Sequence, residues 1–205
     1  ILVGGTGLYF KALTEGLVNI PKIPINFRNK VRNLHKRIGQ KKFFLKLLEI
    51  DPLIKDRINS LDVQRSLRAY EIKSFTKKSM ISWFKNTKSD YSHNDFFKIC
   101  IDFPRKDLIE RINKRSENMI KLGAILEVKK FIKLRVPKNK SLSKAIGISE
   151  IKQYLQKKIQ TDQLIEKISI KTRQYAKRQS TWARGHMKDW NKINPVGLDK
   201  LLKKI

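Results

Sequence analysis

The chain begins with Ile1, Leu2 and Val3 running straight into Gly4-Gly5-Thr6-Gly7, and nothing else in the sequence restricts the fold as strongly. A short aliphatic run, a glycine turn and then apolar residues at helical spacing (Leu8, Tyr9, Ala12, Leu13) make half of a βαβ unit. Such a strand is buried on both faces and needs parallel neighbours, which arrive only through long crossovers. Ile1 to Val3 therefore read as the end of a buried strand. The chain itself reads as a C-terminal fragment of an α/β protein.

One further stretch is strand-like. Phe96-Phe97-Lys98-Ile99-Cys100-Ile101 is short, aromatic and β-branched, and it is expected to be a buried strand. Between the two candidate strands the pattern is helical. Pro21 and Pro24, flanked by Asn19 and Asn26, mark a linker. Residues 27–49 and 51–58 carry apolar side chains three and four apart, with breaks at Gly39 and Pro52, and Asp62 is placed to cap a helix bearing Val63, Leu67 and Tyr70. Residues 85–94 are polar and rich in turn formers. After Pro104, residues 105–135 are helical with an interruption at Gly123, 137–144 form a polar loop, 150–157 and 162–187 are helical, and the tail is basic. The fold class expected is α/β but mostly helical, with a partial core domain at 1–19 and 91–205 and a helical insertion at 20–90.

Forty-seven Lys and Arg against 18 Asp and Glu give a net charge of +29 on 205 residues. With 40% hydrophobic residues there is enough apolar material for a core, so the charge describes a cationic surface rather than disorder. Such a surface suits a nucleic acid, an anionic membrane face or an acidic protein. The single Cys100 excludes an internal disulfide framework and fits a reducing, cytoplasmic setting. No apolar run approaches the roughly 18 residues of a membrane span. His35, His93 and His186 have no ligand spacing with Cys100 or paired carboxylates, so no metal site is assigned to these residues.

Four groups of residues can carry chemistry. Gly4, Gly5, Thr6 and Gly7 lie where free backbone N–H groups and a helix dipole favour an anion, although no Lys-Ser or Lys-Thr pair follows as in a phosphate-binding P-loop. The same turn can be purely structural. Gln64, Arg65 and Arg68 start the Asp62 helix and can meet a base edge and a phosphate, or pair with Asp62 and Glu71 on a solvated face. Arg111 and Arg115 are one helical turn apart, with Arg105 just ahead, and can converge on a phosphate cluster; Asp107, Glu110 and Glu117 are the competing partners. Residues 171–184 interleave Arg173, Lys177, Arg178 and Arg184 with Tyr175 and Trp182. Alternating cations and aromatics suit a splayed RNA strand, while a Trp at such spacing can equally be a core anchor.

Taken in order, Leu2-Val3-Gly4-Gly5-Thr6-Gly7-Leu8-Tyr9, the stretch from Asp51-Pro52 to Tyr70-Glu71, residues 105–119, Ala145-Ile146-Gly147 and residues 172–184 resemble the tRNA dimethylallyltransferases, also called tRNA isopentenyltransferases. The resemblance implies a core like that of P-loop kinases, with its ATP-type nucleotide loop, around a helical insertion. It implies transfer of a dimethylallyl group from dimethylallyl diphosphate to the exocyclic amine of the adenosine 3′ of the anticodon, with that base flipped out of the tRNA anticodon arm. It carries tRNA contacts to Thr6, Arg28, Gln64, Arg65, Ser66, Leu67 and Arg68. Further contacts fall on Ala145, Ile146, Gly147, Ile148, Ser149 and Glu150, and on Lys177, Arg178, Gln179, Ser180, Thr181, Trp182, Ala183 and Arg184. Thr6, Arg105, Arg111 and Arg115 match catalytic positions, the arginines neutralising the departing diphosphate, and Gly4, Gly5 and Gly7 match a phosphate loop.

The family's Lys-Ser/Thr loop, its general-base Asp and its magnesium site have no counterpart in these residues and are expected upstream of Ile1. Ile148 also stands where an aromatic is usual, and Ala183 where a bulkier side chain is usual. The expectation is a monomer that keeps tRNA affinity with negligible turnover. The alternatives are a non-catalytic basic helical RNA-binding protein and a membrane-surface or acidic-partner module.

Overall fold

The computed structural model describes residues 1–137 and 140–203, with the backbone alone at 93 and 199–201. These residues form two compact units, one of 1–7 with 97–205 and one of 8–96. In chain order the elements are α1 (Gly7–Glu15), α2 (Ile25–Ile50), a 3₁₀ turn (Pro52–Ile54), α3 (Val63–Thr76), α4 (Met80–Lys85), a 3₁₀ turn (His93–Asp95), β1 (Ile99–Ile101), α5 (Arg105–Lys121) and α6 (Ala124–Lys133). A 3₁₀ turn (Leu142–Lys144), α7 (Ile148–Leu155), α8 (Thr161–His186), β2 (Asn191–Ile193) and α9 (Pro195–Leu202) complete the order.

The expected strand at Ile1, Leu2 and Val3 is not formed: all three are exposed coil, Ile1 and Val3 almost entirely so. Among the described residues no strand pairs with it, and unpaired backbone groups stay hydrated rather than buried. The sheet is instead a parallel pair of β1 and β2, in the register Ile99 with Asn191, Cys100 with Lys192 and Ile101 with Ile193. Of the expected strand 96–101 only Ile99–Ile101 is extended and paired, and it is half-buried rather than enclosed. Lys98 Nζ lies 3.4 Å from Asp189 at the mouth of this pair. Burial pushes the Cys100 thiol up, Asp102 adds to that, and Lys192 opposes both.

The unit of 8–96 is built on α2, whose long apolar pattern is broken where Gly39 takes φ +76° and ψ 167°. Asp62 caps α3 as its position demands, its Oδ1 accepting the Arg65 amide at 3.0 Å. Residues 51–58, expected to be helical, hold only the 3₁₀ turn, because Pro52 starts it and Asp56 turns to φ +62°. The core of this unit is Ile23, Leu47, Ile54, Ile58, Ala69, Ile72 and Met80, each large member contributing roughly 1.5–3 kcal/mol by burial.

In the other unit, Gly123 at φ +101° separates α5 from α6 at the expected interruption. Val128, Ile148, Ile151, Leu164 and Ile168 form its core, so α6, α7 and α8 share one apolar interior. The expected polar loop 137–144 includes residues 138 and 139, which lie outside the described residues; its end is the 3₁₀ turn at Leu142–Lys144.

Candidate functional site

The glycine turn is seated on α8. Gln179 Nε2 donates to Gly5 O at 2.8 Å, and a Cβ at Gly7 would fall inside the Trp182 ring system. Gly4, Gly5 and Gly7 all keep ordinary negative φ; Gly7 is demanded by the close approach of the Trp182 ring, while a Cβ at Gly5 would meet only the end of the Gln179 side chain. Thr6 is exposed at the foot of α1. Trp182 also stacks on His186, with ring centroids 4.5 Å apart and planes 7° from parallel. Part of its ring is thereby covered by the chain's own residues.

Along the rest of this α8 segment, Lys177, Arg178, Ser180, Thr181 and Arg184 are exposed and Ala183 is half-buried. Arg178 lies over the Tyr175 ring at 5.6 Å. The Ser180 hydroxyl is spent on Ala176 O at 3.2 Å.

On α5, Arg111 and Arg115 line one open groove of about 820 Å³ together with Lys114. Asp107, Glu110 and Glu127 line it too, so its charge is mixed. Arg111 is steadied over the Phe103 ring at 4.9 Å. Arg105, at the start of α5, is not part of this lining.

The segment 145–150 divides by burial. Ala145, Ile146 and Ser149 are exposed, while Gly147, Ile148 and Glu150 are buried. Ile148 belongs to the core, which explains an aliphatic residue there. Glu150 caps α7: its Oε2 accepts the Gly147 amide at 3.0 Å and its Oε1 accepts the Ser149 hydroxyl at 2.6 Å. Lys171 on α8 completes the set as an ion pair with Glu150, and also donates to Ser149 Oγ at 3.1 Å. Burial pushes the Glu150 carboxyl up, but the hydrogen bonds from Lys171, Ser149 and Gly147 outweigh it and hold the group below the ordinary carboxylate value.

In the 8–96 unit, Gln64 and Arg65 are exposed at the start of α3, Leu67 and Arg68 are half-buried, and Ser66 is fully buried. Ser66 Oγ donates to Asp62 O at 2.7 Å and accepts from Gln40 Nε2 at 3.1 Å. The acidic partners do engage: Arg65 lies 3.5 Å from Asp62, and Arg68 lies 3.6 Å from Glu71. Arg28 reaches the same Glu71 carboxylate at 3.3 Å.

Sequence reasoning finds no sign of the contacts made by Phe103 and Gln40, weighs His186 only as a metal ligand, and holds Lys171 in the basic 171–184 segment without its pairing to Glu150. Only His186, four residues from Trp182, had a local signal. Among the described residues no three His, Cys, Asp or Glu side chains gather where a metal could sit. No helix among the described residues is long and apolar enough to cross a membrane.

A mostly helical chain carrying a small parallel sheet has the fold of the tRNA prenyltransferases: it superposes on the crystal structure of a eukaryotic dimethylallyltransferase acting on tRNA with a TM-score of 0.68, over 88% of this chain and 46% of that one at 24% identity. The IPP transferase family model matches residues 1–186, and the chain belongs to that family. It is 56% identical over its whole length to a tRNA dimethylallyltransferase of Pelagibacter ubique, covering 66% of that protein. It is 41% identical over 190 residues to the enzyme of the same name from Rickettsia massiliae, matching 92% of this chain and 52% of that one. The chain thus spans between about half and two thirds of the length of these relatives.

Proposed function

We propose that the chain serves prenylation of tRNA: transfer of a dimethylallyl group from dimethylallyl diphosphate to the exocyclic amine of the adenosine 3′ of the anticodon. In that reaction the amine nitrogen bonds to C1 of the dimethylallyl group as the C1–O bond breaks. The diphosphate leaves with the electron pair, and the amine proton passes to a base. Family membership over residues 1–186 supports the reading. The observation that supports it within the molecule is the glycine turn bearing Thr6, held by Gln179 and Trp182 to α8, the helix that also carries the exposed cations Lys177, Arg178 and Arg184. On this reading those cations hold RNA phosphates and Thr6 supplies a hydroxyl at the reacting end. Arg111 and Arg115, with Arg105 nearby in sequence, neutralise the diphosphate as it departs.

The 205 residues contain no glycine-rich loop ending in Lys-Ser or Lys-Thr. We accordingly expect the chain to bind tRNA with little turnover. The test is a tRNA transcript incubated with the chain and radiolabelled dimethylallyl diphosphate, with tRNA binding measured in parallel. Binding that prefers a tRNA anticodon arm over an unrelated duplex at fixed salt supports the reading. Equal binding to both sinks it, and rapid label transfer refutes the expectation of little turnover.

A further inference from the structure

We infer that Glu71 is a positioning residue that sets Arg28 and Arg68 as a paired guanidinium clamp for one phosphate of bound RNA; this rests on the tRNA-binding reading above. Glu71 sits on α3 with its side chain 3% exposed, and the same Oε2 faces Arg28 Nε at 3.3 Å and Arg68 Nη1 at 3.6 Å. One buried carboxylate between two guanidiniums leaves an excess positive charge on the cluster. Lys22 lines the same hollow, of about 670 Å³, as Arg28 and Arg68. The first turn of α2 bounds it, with no acidic residue and no side-chain cap, so the free N–H groups of that turn add to the field favouring an anion.

The two arginines are 37% and 43% exposed at the side chain, so each keeps solvent-facing donors while Glu71 fixes its approach. Arg28 faces the carboxylate through Nε and Arg68 through Nη1. Arg28 Nε is buried without a hydrogen-bond partner, so its contact with Glu71 is an ion pair alone. Two guanidiniums oriented by a common carboxylate match the bidentate geometry of a phosphate oxyanion. An orienting role and a plain counter-charge role predict opposite signs. Removing an acid from a chain of net charge +29 strengthens binding to a polyanion if only the field matters. It weakens binding if the acid orients the cations that grip it.

The experiment measures the affinity of the full chain for an anticodon stem-loop RNA across a salt series, for the wild type, Glu71→Gln and Glu49→Gln. Glu49 is an exposed acid on the same unit, and its variant reports the loss of one negative charge alone. The expected result is binding about tenfold weaker for Glu71→Gln, the scale of lost charge-assisted hydrogen bonds. Its dependence on log salt should be shallower by roughly 0.7 to 0.9, one phosphate contact, while Glu49→Gln is unchanged or slightly tighter. Dimethylallyl diphosphate titrated in parallel should bind equally to wild type and Glu71→Gln, which separates an RNA phosphate from the free diphosphate. If Glu71→Gln does not fold, Arg68→Lys keeps the charge at a half-exposed position and should still weaken RNA binding several-fold. Wild-type affinity and slope in the folded acid variant, or an unchanged affinity in the lysine variant, overturns the inference. Absence of RNA binding by the wild type removes the tRNA reading itself, and this inference with it.

Discussion

Replacing Lys171 by Met should destabilise the 97–205 unit by an amount that depends on pH in a defined direction. Lys171 faces a carboxylate that is 2% exposed and is itself 49% exposed at the side chain. Stripping the partner from a fully buried ion pair costs about 3–5 kcal/mol. Here water already solvates and screens the ammonium, and Glu150 keeps the Ser149 hydroxyl and the Gly147 amide at 2.6 and 3.0 Å. The cost is therefore reduced to about 1–2 kcal/mol, or a fall in Tm of roughly 4–8 °C for a unit of this size.

The pH dependence fixes the cause. Burial raises the Glu150 pKa, and the hydrogen bonds led by Lys171 more than reverse it. A folded-state value below the unfolded one gives stability that is present above the unfolded value and is lost as pH falls through the folded value. Without Lys171 the leading hydrogen bond that opposes burial is lost, so Glu150 protonates at higher pH than in the wild type. The gap between wild type and variant should be largest at neutral pH and close as pH falls through the wild-type folded-state value, below which the carboxyl is neutral in both. Lys130→Met, at an exposed position on α6, controls for the loss of one charge. Calorimetry over a pH series reads the result. Equal Tm values at pH 7, or a gap that persists undiminished in acid, would refute the reasoning.

Other outcomes follow from local geometry. Gly39→Ala meets no atom within 4 Å but must adopt φ +76° and ψ 167°, so it should lose about 1–3 kcal/mol in urea titration through backbone strain alone. Gly7→Ala drives a methyl into Trp182 and should cost about 1–3 kcal/mol, with a shift in tryptophan fluorescence. Gly5→Ala meets only the movable end of Gln179 and should stay within about 1 kcal/mol of wild type; equal costs for the two would exclude the Trp182 contact. Asp62→Ala removes the α3 cap and should cost about 1 kcal/mol, with Asp62→Asn recovering most of it on thermal melting.

The helices were legible because their signals are local. Asp62 caps α3, and Gly39 and Gly123 interrupt helical patterns at positive φ, all decided by neighbours a few residues away. The opening strand was misjudged for the same reason. A run of three aliphatic residues before a glycine turn has a strand-like local pattern, but a strand exists only through its partners. β2 gave no apolar signal in Asn191-Lys192-Ile193 and is defined by its register with β1. The bond that ties the Gly5 carbonyl to Gln179 spans 174 residues of sequence. Glu150 showed as part of a motif, but its burial and its hold on α8 did not.

The charge distribution shows where selectivity can reside. Basic side chains outnumber acidic ones by 29, yet every charged residue buried among the described residues is an acid: Asp51, Glu71 and Glu150. Exposed lysines contribute a field that raises encounter rates with any polyanion and fades with salt. A buried carboxylate carries a desolvation cost, and two of these three sit against cations that offset it. Glu71 fixes two arginines, and Glu150 fixes the start of α7 against α8. Neutralising one exposed cation outside the 177–184 segment should therefore lower RNA affinity by a small step whatever the RNA. Neutralising Glu71 should lower affinity by the larger step of a lost positioned phosphate contact, a contrast measurable against Lys130→Met at one salt concentration.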